Sequence, residues 1–235
     1  MAVVPGLLFA VTKPFDPSLT DAEFNDWYNN KHIVDVVNCG LASNGFRYKN
    51  RDASAEWPHL ALYRLPHLPK LYDPAFMSTV PTDSPKSWNA GYMPDVARAE
   101  LRGYQQVKTY EPKNSKDGSA KVVVTAEIQG TGESEFLPFL EKEHLAKVQG
   151  LPGYRRTILC KSAAAFVPKE GKTKDDPREG TDFETAKEQR LSYLTVHEFD
   201  QAPSPADLPS GVEVWDYVAE YGTGLARIEP THGRR

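Results

Sequence analysis

The amino-acid sequence predicts an α+β fold made of two tandem copies of one β-α-β-β-α-β unit. The first supporting observation is an internal match: residues 21–33 align without a gap with residues 133–145. His32 corresponds to His144 in this alignment, a separation of 112 residues. Self-similarity at a fixed separation is typical of a duplicated structural unit.

Two further matches extend the repeat in the same order along the chain. Each aligned segment is followed by a glycine-aromatic-arginine triplet, Gly45-Phe46-Arg47 in the first half and Gly153-Tyr154-Arg155 in the second. Late in each half, residues 100–104 correspond to residues 213–217 at nearly the same separation. Matches that keep their order and spacing indicate two copies of a unit of about 110 residues.

Hydrophobic patterning and capping residues predict the elements of the first unit. Thr20 and Glu23 form a capping box that begins a helix, and Gly40 suits the left-handed conformation that ends one. Pro74 breaks or restarts a later short helix, because proline removes a backbone donor. The predicted strands are 6–12, 46–51, 59–65 and 97–110, and the predicted helices are 21–39 and 68–80.

The second unit repeats this order, which is the ferredoxin-like plan. Its predicted strands are 120–129, 154–166, 191–199 and 212–221, with a helix over 134–149. The domain organisation is therefore a first unit over 1–112, a polar linker over 113–119 and a second unit over 120–235. The segment 167–189 is rich in Lys, Glu and Asp, so we expect it to be a charged surface loop inserted in the second unit.

Composition excludes several functional classes. The chain has 235 residues, with 28 Lys and Arg against 32 Asp and Glu, and no basic cluster that would predict a nucleic-acid partner. No apolar run approaches the roughly 20 residues that span a bilayer, and residues 3–11 lack the positive flank of a signal peptide. Cys39 and Cys160 make no disulfide framework. We expect a cytoplasmic protein without a membrane partner.

Sequence motifs for nucleotides, metals and nucleophilic serine are also missing. The sequence contains no G-x-G-x-x-G after a strand, no Walker A motif, no H-E-x-x-H, no C-x-x-C and no G-x-S-x-G. The six histidines are spread singly and form no metal-ligand spacing. The sequence thus predicts neither a metal nor another cofactor.

The repeated segments resemble the EthD-like branch of the dimeric α/β-barrel superfamily. The resemblance is carried by Trp27 to His32 with Gly45-Phe46-Arg47-Tyr48, and by Phe139 to His144 with Gly153-Tyr154-Arg155. It implies that the two ferredoxin-like units pair their sheets into one intramolecular barrel. It also implies a cavity between sheet and helices that takes phenolic or polyketide-like aromatics. The chemistries of the family include cofactor-free oxygenation, aldol-type cyclisation and decarboxylation, and other relatives bind haem.

The candidate catalytic residues are His32, Tyr28 and His144. His32 lies four residues after Tyr28, so the two share a helix face. Histidine moves protons near neutral pH, and a tyrosine hydroxyl stabilises an enolate. Equally, His32 could be a packing residue bonded to a backbone carbonyl. His144 is its counterpart in the repeat.

Aromatic side chains crowd the first half, where they either fill the core or line a pocket for a flat ligand. Arg47 suits bidentate binding of a carboxylate, or faces solvent from its strand. The candidate substrate-binding residues are Trp27, Asn29, Arg47, Tyr48, Tyr63, Trp88 and His197.

The two halves are not equivalent in chemistry. The second unit has Leu140 where the first has Tyr28, so we expect the working cavity in the first half. The alternative is a site in the second half, where His144 and His197 could converge.

These observations predict a cofactor-independent enzyme that decarboxylates or cyclises a polyketide-like or phenolic substrate by His and Tyr acid–base catalysis. The alternatives are a cofactor-free anthrone or quinol monooxygenase, and a non-catalytic binder of hydrophobic phenolics. Haem, with His32 or His144 as axial ligand, is a further alternative. The expected partners are a small aromatic molecule and, as an open alternative, a second copy of the barrel.

Overall fold

The chain forms an antiparallel β-barrel with helices packed on its outer surface. The computed structural model describes residues 3–81, 85, 88, 93, 96–113, 115, 118–129, 136–138, 140–168, 183–185 and 192–222. Among these, eight strands close the barrel and a ninth, short strand adds to its edge. The strands are β1 (Gly6–Pro14), β2 (Asn44–Asn50), β3 (His59–Leu65), β4 (Ala97–Tyr110), β5 (Val122–Gln129), β6 (Tyr154–Pro168), β7 (Phe183–Thr185), β8 (Ser192–Phe199) and β9 (Glu213–Gly222).

The strand order has the same form in both halves of the chain. The barrel runs β4-β1-β3-β2 and then β9-β5-β8-β6, and the pairing of β4 with β6 closes it. The two groups therefore meet along two seams, β2 with β9 and β4 with β6. All these pairings are antiparallel, and the strands predicted from the sequence agree with them within about two residues at most ends.

A helix interrupted by a π-helical turn packs on the first group of strands. It consists of α1 (Asp21–Trp27), the first π turn (Tyr28–His32) and α2 (Ile33–Asn38). The predicted capping box is confirmed at Thr20 and Glu23, and the predicted glycine stop is confirmed at Gly40, where φ is +82°. The π turn was not predicted.

The remaining helices are short. In the first half these are a 3₁₀ helix (Leu68–Tyr72) and α3 (Pro74–Met77), which begins at the proline as expected. The second half has a second π turn (Leu140–Leu145), then α4 (Ala146–Gln149), and a 3₁₀ turn (Pro205–Asp207) in the proline-rich stretch. In the described part of the chain, none of the helices is long and apolar enough to span a membrane.

The predicted insertion at 167–189 is corrected where the structure describes it. β6 continues through Val167 to Pro168, and β7 pairs with this extension. Backbone hydrogen bonds to an existing strand therefore order two short pieces whose composition predicts a loop. The rest of the insertion lies outside the described residues.

Alternation along the strands gives the sheet two apolar faces. On β3, Ala61 and Tyr63 face the helix side, whereas Leu60 and Leu62 face the barrel interior. The interior core is centred on Trp215, which is fully buried and donates from Nε1 to Thr125 Oγ1 at 2.9 Å. Each strand residue thus belongs either to the interior core or to the space between sheet and helices.

Gly45 fixes the distance between the first helix and β2. A Cβ at this position would lie 2.5 Å from Ile33 Cγ1 and 3.0 Å from Tyr63 Cδ1. Only a glycine therefore lets the chain after the π turn approach the strand that carries Arg47.

We expect Gly45→Ala to lower the free energy of unfolding by about 1–3 kcal/mol, because the new methyl group overpacks the helix–strand contact. Denaturant unfolding measures the change. Gly150→Ala is the matched control, since a Cβ there meets nothing closer than 3.8 Å, and we expect a change within about 0.5 kcal/mol. Equal effects of the two substitutions would contradict this account of the contact.

Candidate active site

The first π turn gathers an aromatic wall around His32. The Ile33 amide donates to the Tyr28 carbonyl, the i to i+5 bond that defines a π turn. This widened turn places residues five apart on one face, so the His32 ring stacks on Trp27 at 5.0 Å and 19°. The Tyr28 ring meets His32 edge-on at 4.8 Å, and Trp88 contacts Trp27 at 5.0 Å. The structure thus brings together four residues predicted for the site.

His32 is neutral at neutral pH. Burial, and to a smaller extent the positive charge of Arg47, lower the pKa of His32 to about 4, against a smaller opposing effect of Asp35. The aromatic rings replace the water that would stabilise an imidazolium. His32 is therefore a neutral imidazole, which is the form that accepts a proton.

Tyr28 and Tyr63 form a buried pair of phenols. Tyr63 donates its hydroxyl to Tyr28 at 3.2 Å, which leaves the Tyr28 proton available to another acceptor. Burial raises the pKa of both hydroxyls, and the nearby charge of Arg47 opposes this only in part. Both side chains are hence protonated donors at neutral pH.

Arg47 lies beneath this pair and is fully buried. Its guanidinium carbon is 3.7 Å from the centroid of the Tyr28 ring, and Nη2 donates to Asn25 Oδ1 at 2.9 Å. Two nitrogens of Arg47, Nε and Nη1, have no hydrogen-bond partner among the described residues. The same is true of Oδ1 of Asn29, the residue that follows Tyr28. Burial lowers the pKa of Arg47. A buried cation with unused donors is energetically costly and needs a reason.

The sequence reasoning missed His59. This residue begins β3, is fully buried, and places Nε2 at 2.7 Å from Asp21 Oδ1. Its ring lies 5.3 Å from that of Phe24. Burial lowers the pKa of His59 to about 4, with a further contribution from Arg47. The available signal was parity, because His59 and the predicted Tyr63 are separated by four residues and share one face of a strand.

Tyr48 does not join this site. It follows Arg47 directly on β2, so its side chain points to the opposite face, into the barrel interior, and its ring meets Tyr217 at 6.1 Å. There it lines a cavity with Arg64, Arg156 and other residues of the barrel interior. The prediction of both Tyr48 and Arg47 as substrate-binding residues neglected the alternation of side chains along a strand.

The second half brings His144 and His197 together, as the alternative interpretation expected. Their Nε2 atoms are 2.9 Å apart. His197 Nδ1 lies 2.7 Å from Thr157 Oγ1, which lies 2.9 Å from the Tyr154 hydroxyl. Tyr154 in turn donates to the Tyr110 carbonyl at 3.2 Å.

This chain of hydrogen bonds fixes the tautomers of both histidines. A carbonyl only accepts, so Tyr154 donates its single proton to it, and Thr157 must then donate to Tyr154. His197 therefore carries its proton on Nδ1, and His144 donates from Nε2 to His197. Burial lowers the pKa of His144, with Lys147 contributing, and lowers that of His197 to about 3, so both rings are neutral at neutral pH.

The arginines of the two repeated triplets occupy different places. Arg47 lies opposite Ala61, whereas Arg155 donates to the carbonyls of Gly118 and Ser119 before the second unit begins. A register irregularity between Tyr154 and Arg156 shifts the second triplet.

In the alignment of the two halves that pairs Tyr63 with His197, the counterpart of Arg47 is Leu159. Arg47 is opposite the residue two before Tyr63, and Leu159 is opposite the residue two before His197. The buried cation is hence present in the first half and replaced by an apolar side chain in the second.

Known proteins resemble this chain in sequence and in fold. No protein-family model matches the chain. A curated protein of Stachybotrys chlorohalonatus (strain IBT 40285), core atranone cluster (CAC) protein 1, is 47% identical over 233 residues, which cover 98% of this chain and 97% of the relative. The crystal structure of an anthrone oxidase-like protein superposes with a TM-score of 0.55 at 12% identity, over 94% of both chains. At that identity the likeness shows the shared fold, and the barrel expected from the family resemblance is confirmed.

We expect Arg47→Met to raise the free energy of unfolding by about 0.5–2 kcal/mol, because it removes a buried charge that lacks a carboxylate partner. Arg156→Met is the matched control. Arg156 is also buried, but it bonds Glu198 at 2.8 Å, and we expect its loss to cost about 3–5 kcal/mol. Denaturant unfolding of both variants checks the contrast, and a drop above about 1 kcal/mol for Arg47→Met would contradict it.

The tautomer assignment is tested by two-bond ¹H–¹⁵N correlation spectra of the histidine rings. We expect Nε2–H for His144 and Nδ1–H for His197, and a mixture of tautomers for His197 in Thr157→Val. Thr195→Val is the control, since this buried threonine bonds the Ala126 carbonyl outside the chain of donors. Unchanged tautomers in Thr157→Val would show that the chain does not set them.

Proposed function

Because the chain belongs to the same family as core atranone cluster protein 1 of Stachybotrys chlorohalonatus, we propose that it is an enzyme of secondary metabolism. In this proposal it is cofactor-independent and takes a phenolic or polyketide-like aromatic substrate. The reaction is decarboxylation or cyclisation by acid–base catalysis, and the site lies in the first half. The relative is named as a protein of a core biosynthetic cluster, which supports a small-molecule substrate.

The fold part of the proposal is a tandem pair of ferredoxin-like units of the EthD-like type. Two observations support it. The strand orders β4-β1-β3-β2 and β9-β5-β8-β6 correspond strand for strand. The first and second π turns begin 112 residues apart, at Tyr28 and Leu140, and each contains the repeated histidine.

One observation carries the functional proposal: a neutral His32 is in ring contact with a protonated Tyr28, inside an aromatic wall above a buried cation. A neutral imidazole accepts a proton, and a phenol with a free proton donates to a developing oxyanion. Trp27 and Trp88 offer flat surfaces to an aromatic ring. The set therefore suits reactions that pass through an enolate or a phenolate.

The proposed residues divide the work of such a reaction. In cyclisation His32 takes the proton from the carbon next to a carbonyl, the carbon attacks a second carbonyl, and Tyr28 donates to the oxygen that gains the negative charge. The new hydroxyl then leaves as water together with a proton from the neighbouring carbon. In decarboxylation the electron pair of the breaking carbon–carbon bond moves to the neighbouring carbonyl, Tyr28 stabilises the enolate, and the carbon then takes up a proton. Arg47 holds the substrate through a negatively charged oxygen.

The second half has a separate place in this proposal. His144 would be the corresponding base there, positioned by His197, with Nδ1 as the unprotonated nitrogen. Because Leu140 and Leu159 align with Tyr28 and Arg47 in the proposed repeat, the described part of this half has no counterpart of these two donors. We therefore assign the main reaction to the first half.

A second candidate reaction uses the same base. Removal of a proton by His32 from an anthrone or a hydroquinone gives a carbanion or phenolate that can react with molecular oxygen without a cofactor. The structural neighbour with a TM-score of 0.55 is described as anthrone oxidase-like. The two candidates differ in their need for oxygen.

Mass spectrometry of a panel of aromatic polyketide acids and anthrones, incubated with the protein in air and under nitrogen, tests the proposal. We expect loss of carbon dioxide or water under both conditions. His32→Ala should lower the turnover rate about 100-fold or more, the range of general acid–base catalysis. His67→Ala, a half-buried histidine of the first half outside the site, should stay within about twofold.

The remaining outcomes separate the alternatives. Addition of oxygen to a substrate in air but not under nitrogen would indicate the monooxygenase reaction instead. Thermal stabilisation without conversion would indicate a binder. A Soret band in the purified protein would indicate haem. Activity that survives His32→Ala but is lost in His144→Ala would move the site to the second half.

A further inference from the structure

We propose that Arg47 and His59 form an oxyanion-binding site beneath the first helix, so that the substrate carries a carboxylic acid or an acidic phenol or enol group. The inference rests on the proposed function for the aromatic character of the ligand. Its own evidence is the pattern of paired and unpaired polar atoms on one face of β2 and β3. Neither the resemblance nor the comparisons assign a role to His59.

The positive charge of Arg47 is not balanced by a carboxylate in the described part of the chain. Among the described residues, no carboxylate lies within ion-pair distance of its guanidinium, and the polar groups that interact with it, the amide of Asn25 and the hydroxyl of Tyr28, are neutral. The buried Arg156, in contrast, bonds a buried glutamate. Stacking on Tyr28 offsets part of the cost of burying Arg47, but Nε and Nη1 still lack acceptors. An anionic oxygen would supply both the charge and the acceptor.

His59 lies beside Arg47. In the antiparallel register Lys49 lies opposite His59 and Arg47 lies opposite Ala61, so Arg47 and His59 are diagonal neighbours on one face. Both border the same ring: the guanidinium carbon of Arg47 is 5.8 Å and the His59 ring is 5.3 Å from the centroid of Phe24. The charge of Arg47 also acts on His59 and lowers its pKa, so the two groups are near each other. We therefore infer that one ligand oxygen group can interact with both.

His59 can take up a proton on Nδ1 while Nε2 faces Asp21. Asp21 Oδ1 lies 2.7 Å from His59 Nε2, an ion-pair contact without the alignment of a hydrogen bond. The carboxylate favours a proton on Nε2, and Nδ1 has no partner among the described residues. Lys49 shares the other oxygen of Asp21 at 3.0 Å. Nδ1 takes up one proton when an acidic ligand binds. A phenol or enol supplies it from its O–H group, whose bond electrons stay on the oxygen, whereas for a carboxylate, which is already ionised at pH 7, the proton comes from solvent. The resulting oxyanion is held by Arg47, and the imidazolium by Asp21.

His59 has a carboxylate partner, Asp21, whereas Arg47 has none, because the ligand oxygen itself balances the charge of Arg47. The aromatic wall recognises the ring system, and the Arg47–His59 site recognises its acidic oxygen. A carboxylate, a phenolate and an enolate share this chemistry. A neutral ester or ether of the same ring system does not, because it offers no proton to His59 and no charge to Arg47.

The experiment measures calorimetric binding of 2-naphthoate and of its neutral methyl ester to the full chain, at pH 7. For the wild-type protein we expect the acid to bind at least tenfold more tightly than the ester. Arg47→Met should remove this preference and leave ester binding within about twofold. His59→Asn should reduce the preference several-fold. Arg64→Met, which removes a buried arginine on the opposite face of the same sheet, should preserve it.

Each other result overturns the inference. Equal binding of acid and ester by the wild type, or binding of neither, would show that no oxyanion site exists here. Loss of the preference in Arg64→Met would place the anion in the barrel cavity instead. Unfolding curves of each variant confirm that the protein is folded.

The test also separates this inference from the proposed function. If the protein prefers the acid in a way that depends on Arg47 and yet converts no member of the substrate panel, the result would support the oxyanion-binding site and contradict the proposed reaction. Turnover of neutral substrates by Arg47→Met at the wild-type rate would keep the reaction and reject the site.

Discussion

The structure depends on the two seams at which the halves of the chain share one sheet. β2 pairs with β9, and β4 pairs with β6 from Leu101 to Tyr110. Without these seams each group of four strands would expose two edges and an apolar face. Closure removes the edges and buries the interior around Trp215. It also fixes β2, the strand that carries Arg47 on its outer face.

The sheet separates stability from chemistry by its two faces. The interior face carries the apolar core and the bonded pair of Arg156 and Glu198, in which the polar groups satisfy one another. The outer face of β2 and β3 carries Arg47, His59 and Tyr63 under the first helix, where several polar atoms are left without partners. Unsatisfied buried groups reduce stability, so their concentration on one face marks the place where a ligand would complete the bonding.

The two halves show how one architecture is kept while its chemistry diverges. Each half has a π turn that contains a histidine. The proposed repeat aligns Arg47, Tyr28 and Tyr63 of the first half with Leu159, Leu140 and His197 of the second. In the second half His144 has His197 as its hydrogen-bond partner. In the first half Nε and Nη1 of Arg47 have no partner among the described residues. The same strand order therefore carries buried polar groups without partners in one half and a bonded histidine pair in the other.

The sequence by itself determined the elements, because strands, caps and turns follow from local patterns: the capping box at Thr20, the stop at Gly40 and nearly every strand were predictable. The family resemblance supplied the barrel and most of the aromatic wall around His32. Only the tertiary structure decided which atoms meet. Side-chain parity separated Tyr48 from Arg47, a register irregularity separated Arg155 from its apparent counterpart, and the approach of α1 to β3 joined Asp21 to His59. These contacts join residues far apart in the chain, and their geometry depends on strand register and helix approach, which a one-dimensional pattern does not encode.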